Sequence, residues 1–155
     1  AGELMNTLPA DRAARDMSGA IDYLLAHEAC SSSTVGVTGF CMGGMLTLMI
    51  AALEGDRVSV AVPFYGAPLV DAGPDWSGLT AKVEGHFAAD DDIFPPDAVT
   101  ALQDELRAMC KNVTFTVYEG TGHGFTNEEN PLGTYDEEAT GPAFSRGLEL
   151  LNTIS

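Results

Sequence analysis

Basic residues are scarce in this sequence: there are seven Lys and Arg against 23 Asp and Glu, and the formal net charge at pH 7 is −16. Nucleic acids and anionic membrane surfaces are bound mainly through Lys and Arg, so neither is an expected partner. Long hydrophobic runs are also absent. The longest apolar stretch, residues 45–53, is about half of the roughly 20 residues that span a bilayer.

Cysteine is rare as well, with three residues, an odd number, and no CxxC spacing. This count favours neither a disulfide framework nor a structural zinc site, and we expect no metal and no cofactor. No basic start precedes an apolar run, as it would in a signal peptide, and we therefore expect a cytoplasmic protein. The 155 residues, 45% of them hydrophobic, suffice for a single domain with a buried core.

Apolar runs rich in β-branched residues alternate along the chain with segments of helical periodicity. The pattern predicts helices at 11–28, 43–54, 96–110 and about 140–152, strands at 34–38, 58–62, 83–88 and 113–118, and a long loop at 63–81. Strands separated by helices predict an α/β fold in which a mostly parallel sheet carries helices on both faces. Ligands of such sheets bind beyond the carboxyl ends of the strands.

A glycine-rich turn joins the first predicted strand to the helix after it, with the motif Gly39-Phe40-Cys41-Met42-Gly43-Gly44. Strand, Gly-x-Cys-x-Gly and helix is the layout of a nucleophile elbow, and Cys41 would be the nucleophile. We expect the positions two before and two after Cys41 to lie too close to neighbouring backbone to carry a Cβ atom. A helix N-terminus also favours a thiolate. The alternative is a buried cysteine beside an ordinary turn.

Two further segments follow predicted strands and carry groups that a nucleophile needs. Of the three histidines, His27 precedes the turn and His86 lies within a predicted strand, whereas His123 stands in a glycine-rich loop after residues 113–118. An acidic loop follows the strand at 83–88 and contains Asp90, Asp91 and Asp92. One of these carboxylates would orient the histidine, and spacing alone does not choose among them. A solvated acidic loop is the alternative.

These three segments together resemble the dienelactone hydrolases, a cysteine-nucleophile branch of the α/β-hydrolases. The resemblance covers about residue 16 to the chain end, and it places the acid four residues before Pro95, at Asp91. It implies a triad of Cys41, His123 and Asp91 that cleaves an ester or lactone, with the backbone N–H of Met42 in the oxyanion hole. Four aromatic residues flank these positions and are candidates for the walls of a substrate pocket, with core packing as the alternative: Phe40, Tyr65, Phe94 and Phe125.

Members of that family carry several strands before the elbow, and this sequence has almost none. We therefore expect the C-terminal part of an α/β-hydrolase fold. The strand at 34–38 would then have an unpaired edge, through which copies of the chain associate. Two other functions use the same residues: an inactive or incomplete hydrolase fragment that serves as a binding or structural module, and a redox-sensing thiol at Cys41.

Overall fold

The computed structural model describes residues 10–68 and 73–154, with side chains from residue 12 onward. Within these ranges there are four α-helices and four β-strands, and no α-helix separates the second strand from the third. In order they are α1 (Ala10–Ala26), β1 (Val35–Phe40), α2 (Met42–Glu54), β2 (Val58–Phe64), β3 (Lys82–Asp90), α3 (Pro96–Ala108), β4 (Val113–Gly122) and α4 (Glu137–Leu151). Every predicted helix and strand is confirmed. All four strands run further toward their carboxyl ends than the sequence indicated.

The strands form one parallel sheet in the order β1-β2-β3-β4. The register pairs Phe40 with Phe64, Phe64 with His86, and His86 with Thr116. Because all four strands run the same way, their carboxyl ends meet at one edge of the sheet. The predicted α/β architecture is therefore confirmed.

Helices cover both faces of this sheet, since each face carries its own apolar cluster. One cluster includes Leu48 of α2, Phe87 of β3 and Leu102 of α3, all fully buried. The other joins Val62 of β2 to Leu150 of α4. Burying one such side chain stabilises the folded state by about 1.5–3 kcal/mol. Packing on both faces explains why the middle strands are almost continuously apolar.

Two segments that the sequence analysis assigned to loops have regular structure. A 3-10 helix, Trp76–Gly78, lies within the predicted loop at 63–81, where the Asp75 side chain accepts a hydrogen bond from the N–H of Ser77. Helix α4 begins three residues earlier than predicted, because Asp136 caps it by accepting a hydrogen bond from the N–H of Ala139.

Within the described residues β1 pairs with β2 alone, so its other edge is open, as predicted. An apolar groove of about 130 Å³ lies beside this edge on the α4 side, and Phe40 is among its lining residues. None of the helices in the described ranges combines the length and the apolar character that crossing a membrane requires.

Candidate active site

Four side chains of interest each stand one residue beyond the end of a strand. Cys41 follows β1, Tyr65 follows β2, Asp91 follows β3 and His123 follows β4. The shared direction of the strands brings these positions to the same edge of the sheet, although they are far apart in sequence. This is the edge at which parallel α/β sheets bind ligands.

Cys41 lies at a sharp turn between β1 and α2, with backbone angles φ 57° and ψ −123°. A non-glycine residue in this region costs about 1–3 kcal/mol and persists only where its surroundings hold it. Here the N–H of Cys41 donates to Phe64 O at 3.0 Å, and its carbonyl accepts hydrogen bonds from Gly44 and Met45. The turn is thus held from both the sheet and the helix, and it has the backbone form of a nucleophile elbow.

The glycines around Cys41 correct one prediction. A Cβ atom on Gly39 would lie 2.3 Å from Gly43 O, as expected for the position two before the cysteine. The position two after it, Gly43, has open space instead, and that part of the prediction is wrong. The close approach falls one residue later, because a Cβ atom on Gly44 would lie 2.6 Å from Phe64 O of the neighbouring strand.

The N-terminus of α2 lies directly beside Cys41, since the helix begins at Met42. The first N–H groups of a helix have no acceptor within the helix, and the helix dipole gives this end a partial positive charge. The first turn carries no acidic side chain that would cancel this charge. A negative charge on an oxygen near the N–H of Met42 is therefore favoured here.

His123 is hydrogen-bonded to Asp91, at 2.8 Å between Nδ1 and Oδ2. Of the three adjacent aspartates, Asp91 is the one that bonds His123. Its side chain is buried, whereas Asp90 and Asp92 are exposed. The other oxygen, Oδ1, accepts hydrogen bonds from the N–H groups of Ile93 and Phe94. This carboxylate therefore has three donors, which hold it in one orientation.

Burial by itself raises the pKa of the Asp91 carboxyl, but the hydrogen bonds from His123, Phe94 and Ile93 outweigh burial, and the net pKa is lowered. Asp91 is therefore ionised at neutral pH. An ionised Asp91 fixes the proton of His123 on Nδ1 and leaves Nε2 as the free nitrogen of the ring.

Two aromatic rings pack against the imidazole of His123. The ring of Phe94 stacks on it with centroids 5.7 Å apart, and the edge of Tyr65 meets it at 5.2 Å. The hydroxyl of Thr134 donates to the His123 carbonyl at 2.6 Å, which fixes the backbone as well. The side chain of His123 keeps 11% exposure, so the imidazole is held in place yet still reachable.

Tyr65 lies between the histidine and the cysteine. Its hydroxyl forms a 2.9 Å hydrogen bond with Thr126, and burial raises its pKa; the bond to Thr126 opposes this rise and the charge of Cys41 adds to it. Tyr65 therefore contacts His123, and its pKa depends in part on the charge of Cys41. In the described residues, His123 is hydrogen-bonded to Asp91 and Thr134, and Tyr65 to Thr126. None of these hydrogen bonds joins Cys41 to His123, and the pairing of Cys41 with His123 stays a prediction.

The four aromatic residues proposed as pocket walls have different surroundings. Tyr65 and Phe94 pack on the imidazole as described above. Phe40 is 43% exposed and stacks on Phe64 at 4.7 Å beside the open edge of β1. Phe125 is fully buried and packs behind Tyr65. Its ring also contacts that of Tyr118, so its surroundings are those of a core residue.

Sequence reasoning missed two threonines near the site. Thr126 bonds the hydroxyl of Tyr65, and Thr134 bonds the backbone of His123. Both follow His123 in a loop rich in turn residues, where hydroxyl groups commonly bond neighbouring backbone, but nothing local indicates which groups they bond. In the described part of the chain, no three potential metal ligands among His, Cys, Asp and Glu converge on one point.

The sheet, the elbow after β1 and the histidine–aspartate pair are features of the α/β-hydrolase class. Solved structures agree on the fold. A dienelactone hydrolase-like promiscuous phosphotriesterase from metagenomic libraries superposes with a TM-score of 0.81 at 24% identity, covering 93% of this chain and 62% of that one. An α/β-hydrolase enzyme from a deep-sea metagenome library gives a TM-score of 0.73 at 20% identity, covering 94% of this chain and 64% of that one.

The dienelactone hydrolase family model matches residues 1–155, and the chain belongs to this family. Protein usf of Aquifex pyrophilus is 30% identical over 132 residues, which cover 83% of this chain and 57% of the relative. Carboxymethylenebutenolidase 1 of Cupriavidus pinatubonensis is 29% identical over 136 residues, which cover 88% and 55%. The chain thus spans little more than half the length of these relatives.

Proposed function

We propose that this chain carries the catalytic residues of a hydrolase that cleaves small esters or lactones, with Cys41 as nucleophile, His123 as base and Asp91 as the orienting acid. The observation that carries the proposal is the position of the three groups. A hydrogen-bonded aspartate–histidine pair and a cysteine at a strained elbow stand at the carboxyl ends of three strands of one sheet.

The first half of the reaction forms an acyl-enzyme. His123 Nε2 takes the proton of Cys41, and the sulfur attacks the carbonyl carbon, forming a C–S bond while the carbonyl electrons move to oxygen. Asp91 stabilises the resulting imidazolium through the bond at Nδ1. The imidazolium then gives its proton to the leaving alkoxide as the C–O bond breaks. In a lactone the alcohol stays attached to the acyl group.

The second half releases the acid. Water attacks the thioester carbonyl and gives a proton to His123, after which the C–S bond breaks and the thiolate returns. Both steps pass through an oxyanion. The N–H of Met42, at the start of α2, supports it from the side of the helix dipole. Removing a donor of this kind typically costs about 3 kcal/mol of transition-state stabilisation.

Membership of the family supports this substrate class. The Cupriavidus relative is named for a butenolide, which is an unsaturated lactone, and the reaction described above applies equally to an open ester. Tyr65 and Phe94 pack on the imidazole, so apolar surface lies next to the reacting atoms. We infer a small substrate with an apolar portion close to the carbonyl.

Hydrolysis of p-nitrophenyl acetate by the chain and by Cys41→Ala tests the proposal. We expect multiple turnovers from the unmodified chain and a fall in kcat/KM of at least about 1000-fold in Cys41→Ala, as for the loss of other nucleophiles. Cys110→Ala is the matched control, because Cys110 is exposed beyond the end of α3, and it should hydrolyse at the rate of the unmodified chain.

The same experiment separates the two alternatives. An incomplete hydrolase that serves as a binding module is favoured by the open edge of β1, and it would show no turnover in any variant. A redox-sensing thiol would show labelling of Cys41 that hydrogen peroxide abolishes, again without turnover. Equal rates in Cys41→Ala and the unmodified chain would refute the proposed nucleophile.

A further inference from the structure

Tyr65 has a backbone conformation that a bulky side chain rarely adopts, with φ 34°. Strain of this kind persists only where the surrounding structure holds the residue, and it clusters at functional sites. Here the N–H of Tyr65 donates to His86 O at 2.7 Å, and the side chain is only 5% exposed. A residue held in this way is a candidate for a role beyond core packing.

The two residues that flank Tyr65 contact the backbone of the elbow. Phe64 O accepts the hydrogen bond from the N–H of Cys41. A Cβ atom on Gly66 would lie 1.8 Å from Cys41 O, so the chain passes directly against the carbonyl of the elbow. Burial is the main cause of the raised pKa of Tyr65, and the charge of Cys41 adds to it, which places the phenol within electrostatic range of the sulfur. Tyr65 is thus fixed in position relative to Cys41.

The side chain of Tyr65 contacts the loop that carries His123. Its ring meets the imidazole edge to face with centroids 5.2 Å apart, and it meets Phe125 in the same way at 5.6 Å. Its hydroxyl is hydrogen-bonded at 2.9 Å to the hydroxyl of Thr126, and both residues are buried. One side chain therefore extends from the elbow to the histidine loop and is bonded there.

The hydrogen bond to Asp91 fixes the imidazole of His123 at one point. A single bond at Nδ1 leaves the ring free to swing about that contact, and Nε2 would move with it. Phe94 stacks on the ring at an interplanar angle of 24°, and Tyr65 meets it at 70°. Two rings that contact the imidazole at such different angles oppose the swing that the hydrogen bond permits.

We propose, on the basis of the proposed function, that Tyr65 is a positioning residue, which directs His123 Nε2 toward Cys41 and is itself held by Thr126. Proton transfer between sulfur and imidazole depends on their separation and alignment, and a small displacement lowers the rate by a large factor. On this account the strained φ of Tyr65 directs its ring from the elbow to the histidine loop.

The proton on His123 Nδ1 reports the order of the ring without requiring turnover. It lies in the hydrogen bond to Asp91 and exchanges with water when the ring swings out. Tyr65→Phe keeps the ring and loses the hydroxyl, and we expect it to raise the exchange rate measured by proton NMR about 5-fold, as for the loss of one hydrogen bond. Thr126→Val should do the same, whereas Thr126→Ser keeps a hydroxyl and should keep the slow exchange.

Tyr118→Phe is the matched control for this measurement. Tyr118 also packs on Phe125, at 5.2 Å, and its hydroxyl also has a side-chain partner, but that partner is His86. The substitution removes the same atom from a tyrosine that contacts the same phenylalanine, and it should leave the exchange at His123 unchanged. Equal acceleration by Tyr118→Phe and Tyr65→Phe would assign the effect to a general loosening of the core and overturn the inference.

The double variant, Tyr65→Phe with Thr126→Val, tests whether the two hydroxyls act as one pair. If they do, the exchange rate in the double variant equals the rate in either single variant, because one hydrogen bond is lost in all three. An effect equal to the product of the two single effects would show that the hydroxyls act independently and contradict the role of their hydrogen bond.

Single-turnover release of p-nitrophenol from p-nitrophenyl acetate extends the test to the reaction. With the chain in excess, it gives separately the rate constant of acylation and the concentration at half saturation. We expect Tyr65→Phe to lower the rate constant about 10-fold and to leave half saturation unchanged, because the ring beside the site is kept. A change in half saturation alone would make Tyr65 a substrate contact and overturn the positioning role.

The two measurements separate this inference from the proposed function. Acylation and Nδ1 exchange that both stay unchanged in Tyr65→Phe and Thr126→Val would refute the positioning role and leave the hydrolase intact. No acylation by the unmodified chain, together with faster Nδ1 exchange in both variants, would refute the proposed function and leave the orientation of His123 by Tyr65 standing.

Discussion

At the scale of single residues, His86 is a fully buried titratable group that the proposed reaction does not use. Its Nδ1 bonds the hydroxyl of Tyr118 at 3.0 Å, its Nε2 has no partner, and its ring packs against Phe64. Burial, together with the positive charge of Arg146, lowers the pKa of His86 to about 4. The folded protein therefore holds His86 neutral.

This shift makes stability depend on pH in a defined direction. Between pH 6.5 and about 4 the unfolded chain binds a proton at His86 that the folded chain does not bind, so the free energy of unfolding falls as the pH is lowered. Between pH 7 and pH 5 the loss amounts to about 2 kcal/mol. We expect His86→Phe to remove this part of the pH dependence, measured by urea unfolding at both pH values.

His27→Gln is the control for this measurement, because His27 is exposed just beyond α1. It should keep the pH dependence of the unmodified chain. His86→Phe loses the partner of Tyr118 at every pH, so the comparison is between the changes from pH 7 to pH 5 and not between absolute stabilities. The same change in all three proteins would contradict the assignment to His86.

Residue identities at the site were predictable to different degrees. The glycine-rich turn and the lone histidine loop marked Cys41 and His123 directly. Identifying Asp91 as the partner of His123 required the family motif or the structure. The three adjacent aspartates are alike in local sequence, and only Asp91 is buried. The burial of Phe125 had no local signal, since a phenylalanine beside a loop histidine is compatible with either a pocket wall or a core position.

At the scale of elements, the junction of β1 and α2 depends on two neighbouring glycines with opposite surroundings. Gly44 faces the backbone of Phe64, and Gly43 faces open space. We expect Gly44→Ala to destabilise the protein by about 1–3 kcal/mol, because the added methyl group forces the helix away from the strand. Gly43→Ala should stabilise it by about 0.5–1 kcal/mol, as alanine does in a helix.

Urea unfolding of the two variants tests this contrast, and each is the control of the other because the same methyl group is added one residue apart. Equal effects would mean that the glycines serve chain flexibility in general and not a close approach at one position. The sequence motif predicts that glycines are needed here. Only the structure shows at which glycine a Cβ atom would point at the neighbouring strand, and that glycine is Gly44.

At the scale of the whole molecule, the open edge of β1 and the strong negative charge act against each other. An unpaired edge favours pairing with a second copy, whereas two chains of charge −16 repel. We therefore expect self-association that increases with salt, as screening weakens the repulsion. Light scattering coupled to size exclusion, at 0.05 M and 0.5 M NaCl, measures the mass directly.

Thr38→Lys identifies the edge involved. Thr38 is exposed on β1 and lines the apolar groove beside it, and a lysine on an edge strand opposes pairing. Thr114→Lys makes the same change on β4, the opposite edge, and should leave association unchanged. A monomer at both salt concentrations would contradict association, and equal effects of the two variants would contradict the choice of β1.

The sequence by itself determined the types and order of the elements, the parallel sheet and the three segments that carry Cys41, Asp91 and His123. These follow from periodicity and turn chemistry, which act over a few residues. The tertiary structure decided that Asp91 and not its neighbours bonds His123, that Tyr65 stands between histidine and cysteine, and that Gly44 and not Gly43 meets the sheet. Such choices depend on distances between strands, which arise only when all four strands pack together.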